Sequence, residues 1–299
     1  MMSPTILALG EVLWDCFPAG RQFGGAPANV ACQAARLGGR ASLLSAVGDD
    51  AEGREALAIL ERNGVDTSMI QLVTGAETGR VDVTVDAAGK PSFCIRPSAA
   101  WDRIAWTAGI EAALAGFDAV DFGTLGQRSE PSRSTIRRVL DVARDRGVLR
   151  VLDVNLRPPF DGADVINESV KRADVLKLSD DELPAVTAAC GIDPDSNAIV
   201  ALQALQSRYA LKLVAMTRGA AGAVLVTSTE VSEQPGIPTA VVDTVGAGDA
   251  FTASLSVGFL RGHSPATLAR TACELASATC AHAGAVPDSL PAPPTGNRS

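Results

Sequence analysis

The 299-residue sequence predicts an α/β protein in which helices cover both faces of a mostly parallel sheet and a smaller sheet stands off the main body. Three observations predict it. Short apolar runs such as Ile6–Leu9, Ala119–Phe122 and Val175–Leu178 alternate with stretches of helical spacing over most of the chain. Between about Thr78 and Ile95 that rhythm gives way to a period of two, with Val81, Val83 and Val85 on one side. Glycine turns at Gly24-Gly25 and Gly246-Ala-Gly248 each lead straight into a helical pattern.

The elements follow in order. Ile6–Leu9 is a buried strand stopped by Gly10, and Glu11–Phe17 continues with apolar residues at alternate places. Pro27–Leu37 is a helix, with Pro in its first turn and Gly38-Gly39 just past its end. Ala41–Val47 returns as a strand, and the helix Glu52–Asn63 is ended by Gly64. The alternating segment folds back at Ala87-Ala-Gly-Lys90 as a hairpin. With the stretch after Gly10 it forms a lid, about 11–24 and 78–97, inserted in one domain of residues 1–299. The βα rhythm resumes with helix Thr107–Ala115, strand Ala119–Phe122, helix Pro131–Arg146, strand Val148–Val154 and helix Glu168–Ala173. Strand Val175–Leu178, helices Asp180–Ala189 and Ala198–Arg208, and strands Leu211–Thr217 and Ala223–Thr227 come next. A β-rich segment, Thr239–Val242, precedes the Gly246 turn; helices after Gly248 and over Ala266–His282 close the fold, and Pro287–Ser299 is expected to fray.

Composition narrows the partners. A net charge of −8, with no basic run interleaved with aromatics, argues against nucleic acid or an anionic membrane surface. Six scattered cysteines without a Cys-x-x-Cys pair point to reduced thiols and a cytoplasmic enzyme. The start of the chain lacks a signal-like pattern, and no apolar run reaches membrane-spanning length. The two histidines have no acidic or cysteine companions at ligand spacing, which argues against a zinc or iron site. Gly10-Glu-Val-Leu-Trp14 is not a dinucleotide fingerprint, and no Walker-type Gly-x-x-x-x-Gly-Lys occurs.

The chemistry concentrates at Asp243-Thr-Val-Gly-Ala-Gly-Asp-Ala-Phe251. The first N–H groups of the helix it opens lack intrahelical partners, and together with the helix dipole they suit an anion such as a phosphoryl group. Asp249 beside them is either a charge stabilising the helix end or a general base for a hydroxyl that attacks phosphorus. Asp243 is placed to bond the following turn. Other polar residues fall at strand ends, where open α/β sheets bind ligands: Asp15, Asp153-Val-Asn-Leu-Arg157, Ser179-Asp-Asp-Glu182 and Thr217-Arg-Gly219.

The nine-residue run from Asp243 resembles the C-terminal signature of the ribokinase (PfkB) family of carbohydrate kinases. Gly24-Gly-Ala-Pro-Ala-Asn-Val-Ala31 resembles its N-terminal signature in the form typical of fructokinases, as do Asp153-Val-Asn-Leu-Arg157 and Ser98-Ala-Ala-Trp-Asp102. The resemblance spans nearly the whole chain. It implies a ribokinase-like three-layer α/β/α fold and transfer of the γ-phosphoryl of ATP to a primary sugar hydroxyl, D-fructose first. Ribokinase, 2-keto-3-deoxygluconate kinase, nucleoside kinase and a non-catalytic sugar- or nucleotide-binding protein are the alternatives. Carried to these positions, Asp249 is the base, and Gly246, Ala247 and Gly248 form the anion hole. Arg157 approaches the phosphate, while Asp15, Gly25 and Asn29 bind sugar hydroxyls. Ser179, Thr217, Gly219, Gly222 and Gly248 line the nucleotide, and Glu182 organises Mg²⁺ through water. Ser179 stands where the family has Asn, and Ser179 with Glu182 also fits an ordinary capping box. A monovalent cation such as K⁺, an adenine pocket bordered by Ala281–Ser289 and a homodimer that covers the lid are implied in the same way.

Overall fold

The computed structural model describes residues 3–18, 20–85, 91–193 and 196–286. From the start, β1 (Thr5–Leu9), β2 (Leu13–Phe17) and β3 (Gly20–Gly24) lead into α1 (Ala26–Arg36), β4 (Arg40–Gly48) and α2 (Ala51–Arg62). Two short strands, β5 (Val65–Asp66) and β6 (Ile70–Val73), precede β7 (Gly79–Val85) and β8 (Pro91–Ile95). The middle runs through α3 (Ala108–Ala113), β9 (Ala119–Phe122), α4 (Ser132–Asp145), β10 (Leu149–Asp153), α5 (Ala163–Val170) and β11 (Val175–Ser179). Then come α6 (Leu183–Ala189), α7 (Ala198–Tyr209), β12 (Leu213–Thr217), β13 (Ala223–Val226), β14 (Val231–Gln234), α8 (Ala247–Leu260) and α9 (Pro265–Cys280).

The large sheet has the order β14-β13-β12-β11-β10-β9-β1-β4-β5, with β6 also on β4. Its pairs are parallel from β5 to β12, and the β12–β13 and β13–β14 pairs are antiparallel. Alternate residues of each strand feed two cores, as a doubly covered sheet requires. Leu7 and Leu9 pack with α4, α5 and α7 residues such as Ile136, Ile166 and Leu202, whereas Ile6 and Ala8 pack with α1, α8 and α9 residues such as Val30, Phe251 and Leu268. This is a three-layer α/β/α arrangement. The small sheet, β3-β2-β7-β8, lies wholly within the segments expected to form a lid. Its Leu13, Val81 and Val83 make a separate apolar cluster.

Several expectations are corrected. Thr239–Val242 is not a strand: the Val242 and Asp243 N–H groups bond the Cys280 carbonyl at the end of α9, so packing overrides local β propensity. The small sheet's third strand, Gly20–Gly24, was not expected, because its polar, glycine-flanked sequence carries no alternation. The helix expected at Glu168–Ala173 starts earlier, at Ala163, and the one expected from Asp180 starts at Leu183. The turn Ala87–Lys90 and the tail Pro287–Ser299 lie outside the described residues.

Candidate active site

A cleft of about 920 Å³ opens at the carboxyl ends of β1, β9 and β10, floored by the start of α8 and roofed by the small sheet. The three strands end in register there, Leu9 and Leu152 both opposite Phe122, and open α/β sheets bind ligands beyond such carboxyl ends. At the floor, Gly246 is the N-cap of α8 with φ 78°, a conformation that favours glycine, and no side chain among the described residues caps the helix. A Cβ on Gly246 would lie 2.4 Å from Ala285 Cβ, whereas one on Gly248 would meet only Lys177 Nζ, at 3.2 Å. The first therefore packs against the chain, and the second faces the cleft. Asp243 fixes the turn by accepting from Val245 N at 3.0 Å and from Gly284 N at 2.9 Å.

Asp249, one residue further, is 8% exposed, and its Oδ2 accepts from Asn29 Nδ2 at 2.7 Å. Burial pushes its pKa up to about 6, against the opposing pull of the Asn29 bond. Such a carboxylate is ionised at neutral pH yet a far better proton acceptor than a solvated one. Asn29, in the first turn of α1, is buried, and its Oδ1 has no partner among the described residues. That oxygen can accept from a ligand hydroxyl.

Lys177 completes the floor. It is 5% exposed, between Leu176 and Leu178 in β11, and its Nζ donates to both oxygens of Asp153 at 3.0 Å. Burial works against its charge, but Asp153, Glu182 and Asp249 together hold its pKa above the ordinary lysine value. Asp153 also accepts from the Thr252 hydroxyl of α8 at 2.7 Å, which ties β10 to the helix that carries the base. Glu11 and Asp121 bring two more buried carboxyls to the cleft, each pushed up to about 7 by burial. Asp121 Oδ1 accepts from Ser256 Oγ at 2.8 Å, while its Oδ2 has no partner among the described residues.

On the roof side, Asp15 projects from β2 with its pKa raised to about 6 by burial, opposed by the charge of Arg157. Gly24 lies against it, for a Cβ there would be 2.7 Å from Asp15 Oδ2. Gly25 has φ 109°, and a Cβ on it would fall 2.5 Å from the Glu11 carbonyl, so the β3–α1 junction needs a glycine for backbone reasons alone. Arg157 is exposed at the cleft rim.

Residues 7–293 match the pfkB family of carbohydrate kinases. The chain belongs to that family. A fructokinase from Klebsiella pneumoniae is 33% identical over 292 residues, covering 93% of this chain and 92% of the relative. Among solved structures, a fructokinase with bound ATP from Xylella fastidiosa superposes with a TM-score of 0.83 at 25% identity, covering 95% of this chain and 94% of that one. An uncharacterized sugar kinase from Pyrococcus horikoshii in complex with ATP gives 0.80 at 30% identity, covering 94% of both.

In this kinase the cleft brings together Asp15, Gly25, Asn29, Arg157, Gly246, Gly248 and Asp249. Ala247 sits in the same turn but does not line the cavity. Ser179, Glu182, Thr217, Gly219 and Gly222 lie outside it, at and beyond the ends of β11 and β12. Gly222 is explained by the β13–β14 hairpin, since a Cβ would lie 2.0 Å from the Gln234 carbonyl; Gly219, with φ 50° and nothing within 4 Å of its Cβ position, faces open space. The capping box is half formed: Glu182 Oε2 accepts from Ser179 N at 2.8 Å, but the Glu182 N–H bonds the Ser179 carbonyl and not its hydroxyl, and Oε1 accepts from Leu156 N at 2.6 Å. Lys177, Glu11 and Asp121 were missed. A single lysine inside an apolar strand was the available signal for the first.

Proposed function

We propose that the protein transfers the γ-phosphoryl of ATP to the primary hydroxyl of a sugar, with D-fructose giving fructose 6-phosphate. The observation that carries this reading is Asp249: a buried carboxylate with raised proton affinity, held by Asn29 at the uncapped start of a helix, beside a buried cation. Asp249 takes the hydroxyl proton as the sugar oxygen bonds to the γ-phosphorus, and the bond from that phosphorus to the bridging oxygen breaks to release ADP. The first-turn amides at Gly246–Gly248, with Lys177 and Arg157, offset charge on the transferring group. Asp15 and the free Oδ1 of Asn29 accept sugar hydroxyls, and burial makes an analogue lacking those hydroxyls costly to bind. Fructose is favoured by the fructokinases among its relatives at about a third identity.

Among the described residues no three His, Cys, Asp or Glu side chains are grouped to hold a metal ion. Mg²⁺ would arrive with the phosphates of ATP and would offset their charge. Glu182 suits an indirect role, because both its oxygens already accept backbone N–H groups and only their second lone pairs are left for water. Nucleotide contacts by Ser179, Thr217, Gly219 and Gly222, a K⁺ ion and a homodimer rest on the family likeness. The test is ADP release from ATP and Mg²⁺ with a panel of fructose, ribose, 2-keto-3-deoxygluconate and adenosine, with and without KCl. Fructose should give the highest kcat/KM; a preference for another acceptor overturns the substrate, and no turnover with any overturns the activity.

A further inference from the structure

The small sheet is attached to the body by a cluster that the reaction does not use. The start of helix α2 presents two acidic residues to it, Asp50 and Glu52. Asp50, the N-cap, accepts from Gly53 N within its own helix and from both Thr78 N and Thr78 Oγ1 where the chain enters β7. Glu52, one residue into the helix, is 8% exposed and meets two arginines from different lid strands. Arg21 of β3 donates through Nη1 at 2.6 Å, and Arg80 of β7 donates through Nε at 2.7 Å and Nη2 at 2.6 Å. The Arg21 guanidinium also lies 4.5 Å from the centre of the Trp14 ring, and Trp14 Nε1 donates to the Glu52 carbonyl at 3.3 Å.

The register gives this cluster its meaning. Strand β2 runs between β3 and β7, with Trp14 opposite Arg80 and Cys16 opposite Arg21. Paired residues share a face and successive residues alternate, so Asp15, opposite Gln22 and Val81, points the other way. That other face is the cleft, which Leu13, Asp15, Gln22 and Val81 all line. Glu52 thus grips both neighbours of β2 from behind, directly under the residue whose carboxylate faces the sugar pocket.

We propose that Glu52 is a positioning residue for the sugar site: by binding Arg21 and Arg80 together it fixes β2 relative to helix α2, and so fixes Asp15 relative to Asp249. This rests on the reading of Asp15 as a sugar ligand. Surface ion pairs hold little, but here one carboxylate with few alternative partners is shared by two guanidinium forks, a geometry that specifies orientation. Without it Arg80 has no other hydrogen-bonded carboxylate among the described residues and feels only the charge of Asp82, whereas Arg21 still has Glu55. The strand then samples wider positions over the cleft, and the sugar must be ordered with it on binding. The nucleotide side and the base, both on the body, are untouched.

The experiment measures steady-state kinetics of Glu52→Gln, with Asp15→Ala and the double variant run alongside. Glu52→Gln should raise the KM for sugar about tenfold, leaving kcat and the KM for ATP within about twofold. Adding it to Asp15→Ala should raise the KM no further, because both act through the same carboxylate. If Asp15→Ala leaves the sugar KM unchanged, the sugar-site reading fails. If Asp15→Ala raises it but Glu52→Gln does not, or if their effects multiply, the positioning role fails. Should Glu52→Gln melt below assay temperature, Arg80→Gln makes the same break from the lid side, and an unchanged sugar KM there also overturns the proposal.

Discussion

Replacing Gly248 with alanine separates the chemistry of the helix start from its stability. The new methyl would stand 3.2 Å from Lys177 Nζ with nothing else within 4 Å, so it enters the cleft and not the core. Lys177, held by both oxygens of Asp153, must give way by a few tenths of an ångström to admit it. The fold should tolerate the change, because alanine is favoured over glycine in a helix by up to about 1 kcal/mol. A phosphoryl group seated over the first-turn amides is displaced by roughly the reach of a methyl, and misplacement of about 1 Å costs on the order of a hundredfold in rate, about 2.7 kcal/mol of barrier. Gly246→Ala should behave in the opposite sense: with φ 78° and a Cβ 2.4 Å from Ala285 Cβ, it loses several kcal/mol of stability. Thermal melts with coupled assays of ADP release check both. A Gly248→Ala enzyme with wild-type kcat, or one that fails to fold while Gly246→Ala folds normally, refutes the assignment of the two glycines.

Two further outcomes follow from the buried charges. Lys177→Met leaves Asp153 without its cation and should destabilise the enzyme by about 3–5 kcal/mol in urea unfolding, with turnover lost as well; a variant as stable as the parent contradicts the pairing. Asp121, whose pKa burial raises to about 7, favours the folded state most below its unfolded value near 4, and that contribution fades as pH rises through 7. Asp121→Asn should therefore gain Tm relative to wild type at pH 8 but not at pH 4, and an equal shift at both would show that the carboxyl does not titrate.

Much of this was legible in the sequence because the relevant features are local. The Gly246–Asp249 turn depends on a glycine spacing followed at once by a helical pattern, and Pro27 with Asn29 marks the entry to α1. What stayed hidden depends on distant parts of the chain. Nothing around Lys177 predicts that Asp153, 24 residues earlier, will neutralise it, and nothing around Glu52 predicts arginines on two lid strands. Gly222 reads as a ligand glycine from its motif, and the structure adds a backbone reason for it, the Gln234 carbonyl across a hairpin whose second strand has too little pattern to be seen. Val241 and Val242 looked like strand residues and instead lie exposed on a loop whose path is set by the end of α9.

The most direct test is turnover and ATP affinity of Asp249→Asn. Asparagine keeps the size of the side chain and can still meet Asn29, so the fold should persist. Loss of the base should lower kcat by about 10²–10⁴ while the Kd for ATP stays within about twofold. In the parent enzyme kcat/KM should fall as pH drops through about 6, where Asp249 takes up a proton. Turnover by Asp249→Asn at the parent rate, under conditions where the sugar step limits kcat, would contradict the account.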